Sequence, residues 1–226
     1  MIRDIQITSI PDSQKRVLGH ISSNRKTNGK FSVIDLGGSI GGWTYSHVNA
    51  IGDINVPKSD DRVKFFQLNA NLGDDWEELI EYVNKNGKFD FSICSHMLED
   101  ISNPQYVCKQ LSKISKTGYI AVPSKYMELS KGDMGMKGCI HHRWIFNFID
   151  NKFTGFPKIP LIEIDKSFDS IGLHQPEYAN LGFFWDNEIE LYIINNDYLG
   201  PSVENVIWMY RKKLFNDDLD KQIKKI

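Results

Sequence analysis

The sequence predicts an α/β domain built on a mostly parallel sheet with helices on both faces. Three observations predict it. Five short apolar runs rich in Val, Ile and Phe are bounded by Gly, Asp, Asn or Pro; helix-patterned stretches lie between most of them; and a glycine-rich turn follows the first run directly. With 226 residues, 41% hydrophobic and 25% charged, the chain suffices for one core, and a mean hydropathy of −0.37 is ordinary for a globular protein. One domain over residues 1–226 is the expectation.

The runs cover residues 31–36, 50–56, 63–68, 89–94 and 119–122. Between the third and fourth, Trp76, Leu79, Ile80 and Val83 recur at helical spacing behind Asp74 and Asp75, so residues 74–84 read as a helix. Between the fourth and fifth, Val107, Leu111 and Ile114 share one face behind Asn103 and Pro104, a good cap followed by proline at the first helical position. Residues 41–48 are expected to open a helix straight after the first run, although Gly42, Thr44 and His47 are poor to fair helix formers. Residues 14–28 read as a polar lead-in helix and loop. After Val122, residues 144–148 and 183–195 look like further strands completing the sheet. Asn151 starts a turn, Pro157 and Pro160 forbid a helix, and Asn195, Asn196 and Asp197 close the last run.

Composition excludes several classes. No stretch approaches the roughly 18 to 20 apolar residues that cross a bilayer, and the start, with Asp4, does not resemble a signal peptide, so a cytoplasmic protein with no membrane partner is expected. A net charge of −2 gives no global attraction to a polyanion, which makes nucleic acid a poor candidate. The final Lys221, Lys224 and Lys225, mixed with Asp217, Asp218 and Asp220, read as a solvated tail. Cys94, Cys108 and Cys139 are odd in number and lack CxxC spacing, which argues against a disulfide framework or a structural zinc site.

The turn DLGGSIG, residues 35–41, ends a strand in an acid and lets a ligand approach bare backbone. In a doubly wound sheet such a turn lies at the carboxyl edge near the switch point, where ligands bind. A dinucleotide needs GxGxxG, which Gly37, Gly38, Gly41 and Gly42 do not reproduce. The acid-x-G-x-G-x-G loop of class I methyltransferases fits better through Asp35, Gly37 and Gly41, with Ser39 in place of the middle glycine. Asp35 can then pair with the α-ammonium group of S-adenosylmethionine. In the second run, Asp53 and Asn55 are alternatives for the ribose hydroxyls; as strand neighbours two apart they share a face.

From Phe89 the chain reads FDFSICSHMLED, then TGYIAVPS, then GCIHHRWIF. Together with the glycine turn, this ordered set resembles the methyltransferase-like proteins that carry ICSHxLED, GYIxxPS and HHRW motifs, over roughly residues 31–148. The resemblance implies a Rossmann-like class I methyltransferase fold with a seven-stranded sheet, S-adenosylmethionine as cofactor, a cofactor-binding core at 31–125, and sheet completion with a substrate-side insertion at 126–226. Two positions depart from it: Asn69 stands where an acid often faces adenine, and Ala121 replaces a Glu. Asn69 keeps an oxygen for the adenine amino group.

Ser95 and His96 end the fourth run, beside the expected methyl donor, so Ser95 belongs to the cofactor pocket and His96 is a candidate base, substrate contact or pocket wall. Glu99 and Asp100 are read as helix caps or amide acceptors rather than a catalytic pair. His141, His142, Arg143 and Trp144 invite a metal reading, but on a strand adjacent side chains point to opposite faces, and no metal is expected. One of the two histidines can instead deprotonate a hydroxyl, and Arg143 can hold a carboxylate or phosphate. In the bland reading Arg143 pairs with a structural acid and Trp144 packs in the core. Lys125, Tyr126 and Glu128 are placed at the acceptor entrance.

The expected function is therefore O- or N-methylation of a small-molecule or sugar-containing acceptor. Two readings compete with it: a non-catalytic protein of the same fold acting as binder or scaffold, and a nucleotide-dependent oxidoreductase.

Overall fold

The computed structural model describes residues 1–55, 61–132, 135–170, 172, 175–194 and 203–215. The chain begins with strand β1 (Ile2–Thr8) and helix α1 (Ile10–Thr27), where Ser9 accepts the Asp12 amide as N-cap. Then come β2 (Val33–Leu36), β3 (Ala50–Asp53), β4 (Lys64–Gln67), α2 (Glu77–Asn86), β5 (Phe89–Ser95), α3 (Pro104–Ile114), β6 (Ser115–Pro123) and a single-turn helix α4 (Lys125–Glu128). The remainder holds β7 (Trp144–Ile149), β8 (Lys152–Pro157), α5 (Leu161–Ile164), β9 (Asn180–Asp186), β10 (Leu191–Ile193) and α6 (Val203–Phe215).

Seven strands form the main sheet in the order β1-β9-β6-β5-β2-β3-β4. The five central and edge strands β2 to β6 are mutually parallel, and β9 runs antiparallel to both β6 and β1. This is the Rossmann-like sheet the sequence calls for, with its switch point at β2, where the chain goes first to β3 and later to β5.

Strand alternation divides the core. Val33, Phe91, Ile93, Tyr119 and Phe184 meet α1 through Val17 and Ile21, while Ile34, Leu36, Cys94, Ile120, Val122 and Phe183 meet α2 and α3 on the other face. Asn103 caps α3 by accepting the Tyr106 amide at 3.0 Å, as its sequence implies. The helix expected from residue 74 is present as a 3-10 turn running into α2.

Four expectations need correction. First, the start of the domain is more than the lead-in helix over 14–28 that α1 supplies: β1 precedes it as an edge strand of the main sheet. Ile2, Ile5 and Ile7 pack on the core despite their uneven spacing because the register shifts between Arg3 and Gln6, where Asp4 has φ of 54°. Second, no helix follows β2: Gly41 sits at φ of 76° and only Tyr45–His47 makes a 3-10 turn. Third, β7 does not complete the main sheet. It pairs with β8 through a two-residue turn whose Asp150 and Asn151 both have positive φ, and β10 joins them in a separate three-stranded sheet. Fourth, the single strand expected over 183–195 is two: β9 in the main sheet and β10 in the small one.

The small sheet covers the α3 side of the main sheet with Phe146, Phe148, Phe153 and Leu191. Ile145 and Phe156 face a third cluster built by Leu129, Ile162, Phe168, Tyr210 and Leu214. Among the described residues no helix is long and apolar enough to cross a membrane. The turn expected at 195–197 and the charged tail from 217 lie outside the described residues, as does Val56 of the second run.

Candidate active site at the carboxyl edge of the sheet

The glycine turn leaves β2 beside β5 and β3. Gly37 donates its amide to Gly52 O at 2.8 Å and has φ of 80°, a conformation that glycine takes without penalty. Gly38 is required for a different reason: a Cβ there would stand 2.5 Å from Asp35 Oδ2. Asp35 itself is buried, and its Oδ2 accepts the Thr44 hydroxyl. Its observed work is to close the turn by binding Thr44, which also explains why residues 41–48 do not wind into a helix. Burial pushes the Asp35 carboxyl up to about 7, the Thr44 hydrogen bond pulls the other way, and nearby Asp53 adds to the rise. Ser39 and Gly41 are exposed on the turn. With no α-helix opening behind them, there is no strong helix N-terminus to receive a pyrophosphate, which removes the physical basis of the dinucleotide reading.

Asp53 ends β3, but Asn55 lies beyond the strand in a bend, so the two do not share a strand face; Asp53 Oδ1 accepts the Asn55 amide at 2.7 Å. Asn69 spends its side-chain oxygen on the Asn71 amide at 3.1 Å, and its own amide binds Asp75. Both residues thus shape the turns at the carboxyl ends of β3 and β4.

Ser95 is the last residue of β5, in register with Ala121. His96 follows with φ of 52°, unusual for a residue with a side chain, and is pinned by its amide to Ala121 O at 2.9 Å. Met97 then packs toward the glycine turn: a Cβ on Gly37 would meet its sulfur at 3.4 Å. One short segment after β5 therefore touches the turn with Met97 and faces a cavity with His96.

That cavity, about 570 Å³, is lined by His96, Glu99, Asp100, Glu128, His141 and His142, with Cys139 at its rim and Ile10, Pro123 and Met127 as apolar walls. Its size suits a small molecule. His96 Nδ1 lies 3.3 Å from Glu99 Oε1. Glu99 is 1% exposed, and among the described residues its Oε2 and His96 Nε2 are buried without a hydrogen-bond partner. Buried polar atoms left in this state are expensive, so they mark a place where a polar ligand group belongs.

Across the cavity Glu128 is also 1% exposed, but fully compensated: His142 Nδ1 lies 2.5 Å from Oε1 and Lys158 Nζ donates to Oε2 at 3.0 Å. Burial disfavours the charged ring of His142, yet the Glu128 hydrogen bond and the carboxylates of Glu99 and Asp100 outweigh it and hold its pKa above the ordinary imidazole value. Gly138, at φ of 57°, lets the chain pass over Glu128, since a Cβ would come 2.5 Å from Oε2.

Several assignments made from sequence change here. His141 and His142 precede β7 and sit in a tight turn in which the His142 amide bonds Cys139 O at 3.2 Å, so alternation along a strand does not separate them; their rings are 4.6 Å apart. Glu99 and Asp100 are not helix caps, since Asn103 has that role, but cavity acids. Arg143 is not in the cavity lining; its backbone links Glu99 O, at 2.6 Å, to the Lys158 amide, at 2.8 Å. Trp144 packs on the core and donates to Ile101 O at 2.7 Å, which is its bland reading. Lys125 is buried away from the cavity and donates to Leu214 O of α6 at 2.5 Å. Glu128, expected at the acceptor entrance, lines the cavity, whereas Cys139 and Ile10 are cavity residues whose place depends on tertiary packing; only the GCIHH turn gives a local signal.

No family model matches the chain, and no curated protein sequence matches it. Among solved structures it is similar to a cyclopropane-fatty-acyl-phospholipid synthase-like protein from Lactobacillus casei, at 10% identity and a TM-score of 0.37 over 80% of this chain and 95% of that one. It is also similar to a chain from a Haloferax volcanii complex containing the Trm112 methyltransferase activator, at 12% identity and a TM-score of 0.36 over 79% and 91%. Likeness at this level adds nothing to the reading of the site, which rests on its own geometry.

Proposed function

We propose that the chain is an S-adenosylmethionine-dependent methyltransferase acting on a hydroxyl or amine of a small molecule, including sugar-containing ones. The observation that carries this reading is the segment after β5, which joins the glycine turn to the cavity: Met97 lies against Gly37 while His96 faces the cavity. Donor and acceptor sites of a transfer reaction need such adjacency.

The turn suits the donor. Gly37 and Gly41, exposed and at positive φ, leave main chain open to a ligand at the switch point of the sheet. Asp53 stands at the carboxyl end of β3 for the ribose, Asn69, whose side-chain oxygen holds the Asn71 amide, keeps its side-chain NH2 for an adenine ring nitrogen, and Ser95 stands beside the methyl-bearing end. When bound, the donor supplies an electrophilic methyl group on a sulfonium. The chain's residues do the rest. Glu99 holds Nδ1 of His96, which leaves Nε2 to receive the acceptor's proton as the new bond to carbon forms. The buried Glu99, which no lysine or arginine compensates among the described residues, repels a phosphate or carboxylate, so a neutral polyol or an amine fits the cavity better than an anion.

Calorimetric titration with S-adenosylmethionine and S-adenosylhomocysteine tests the first half: one-to-one binding is expected, and absence of binding to both overturns the reading. A labelled-methyl screen over sugars, amines and small acids tests the second. On the best acceptor, His96→Gln is expected to lower kcat by about 10²- to 10⁴-fold with donor affinity retained.

A further inference from the structure

We infer that Cys139, His141, His142 and Asp100 bind one divalent transition-metal ion of the Zn²⁺ class in the wall of the cavity. The inference does not depend on the donor reading. Cys139, His141 and His142 each present a ligand atom, all within 4.8 Å of one another. Asp100 Oδ1 lies 3.8 Å from His141 Nε2 and 3.9 Å from His142 Nε2. In a tetrahedral site, bonds of about 2.0 to 2.3 Å put ligand atoms roughly 3.3 to 3.8 Å apart. His141 and Asp100, the more exposed members, can close the remaining gap by side-chain adjustment.

The local chain is built for this convergence. The turn closed by the His142 amide on Cys139 O gathers residues 139, 141 and 142 on one side, while Ile140 between them points to solvent. The loop before it is fastened by the Gly138 amide on Ser130 O at 2.8 Å and by Lys158 Nζ on Cys139 O at 2.8 Å.

A second observation points the same way. His142 gives Nδ1 to the buried Glu128 carboxylate and directs Nε2 toward Asp100, the arrangement in which a metal-binding histidine is oriented and made more basic by a carboxylate behind it. Lys158 neutralises Glu128 from the far side, so Glu128 acts as a positioning residue and not as a ligand. One thiolate, two imidazoles and one carboxylate form a mixed soft and borderline set that selects Zn²⁺ or Co²⁺ over Mg²⁺ or Ca²⁺. Thiolate and carboxylate together balance the double charge of the ion. The other two cysteines, Cys94 and Cys108, are buried in the core and cannot substitute for Cys139.

The test is titration of the metal-stripped full chain with Co²⁺, without any methyl donor, so that failure leaves the transfer reading untouched. One equivalent is expected to bind with the visible bands of tetrahedral Co²⁺ and a near-ultraviolet thiolate charge-transfer band, and Zn²⁺ is expected to displace it. Cys139→Ser should remove the charge-transfer band, and His141→Ala should weaken binding by about tenfold or more; both positions are exposed, so the fold tolerates the changes. Glu128→Gln should lower affinity by about 10- to 100-fold with the charge-transfer band kept in the bound form. No saturable Co²⁺ or Zn²⁺ binding, or binding unchanged by both Cys139→Ser and His141→Ala, overturns the inference.

Discussion

Asp35 and Glu128 are two buried acids at the same edge of the sheet, and they solve burial in opposite ways. Among the described residues Asp35 has only a hydroxyl partner, so desolvation wins and its pKa climbs to about 7. Glu128 has the Lys158 ammonium and the His142 ring against its two oxygens, and these donors compensate its charge. The comparison teaches that the glycine turn is closed by an acid that can be neutral, whereas the far wall of the cavity is organised around a fixed charge.

Breaking the charged cluster is expected to have the largest effect. Glu128→Ala takes the counter-charge from Lys158, whose side chain is 7% exposed and keeps the Cys139 carbonyl, and takes the partner from His142. Removing one member of a buried ion pair costs about 3 to 5 kcal/mol, which urea unfolding would register as a lowered midpoint with unchanged slope. A loss below about 1 kcal/mol would mean that water reaches Lys158 and that the wall is not held by charge.

The glycine turn is expected to break more cheaply. Gly38→Ala forces a methyl group to within 2.5 Å of Asp35 Oδ2, and the acid or the turn must move. Overpacking of this kind costs about 1 to 3 kcal/mol. Under the proposed function it also weakens donor binding, while Gly87→Ala serves as the control: it too is a glycine, at φ of 87°, but lies after α2 with open space around it. If both variants lose donor affinity equally, the close approach at Gly38 has no special role.

These differences between the two regions also explain what the sequence could and could not tell. The parallel strands were legible because β2, β5 and β6 are buried on both faces and read as continuous apolar runs, and α3 because Asn103 and Pro104 mark its start. The strand β1 was hidden because the bulge at Asp4 breaks its alternation. The helix expected after β2 was wrong for a non-local reason: the Thr44 hydroxyl is committed to Asp35, nine residues earlier. In the site, His96 was visible as the end of a strand. The partnership of Glu99, Glu128 and Cys139 was not, because Glu99 lies between β5 and α3 while Glu128 ends α4 and Cys139 lies in the loop before β7, and only folding brings them together. The argument that separated His141 from His142 failed because strand periodicity was applied to residues that form a turn.

The sharpest test of the contrast between the acids is the pH dependence of Asp35→Asn, whose effect is smallest at low pH. Asn is close in shape to a neutral Asp and can still accept the Thr44 hydroxyl through its side-chain oxygen. Below pH 3.8, where the carboxyl is largely protonated in both the folded and the unfolded chain, the variant should differ from the parent by under about 1 kcal/mol. The sign of the trend follows from proton binding. The folded pKa of Asp35 is raised from 3.8 to about 7, so its contribution to stability is fully present below 3.8 and is lost as pH rises through about 7. Across that window the native state binds more protons than the unfolded chain, and the parent must become less stable with rising pH relative to the variant. Urea midpoints of the two proteins, measured from below pH 3.8 to about pH 8, should therefore diverge in favour of Asp35→Asn and then run parallel. Curves that stay parallel throughout would mean that Asp35 is charged in the folded state and that its turn, like Glu128, is organised around a fixed charge.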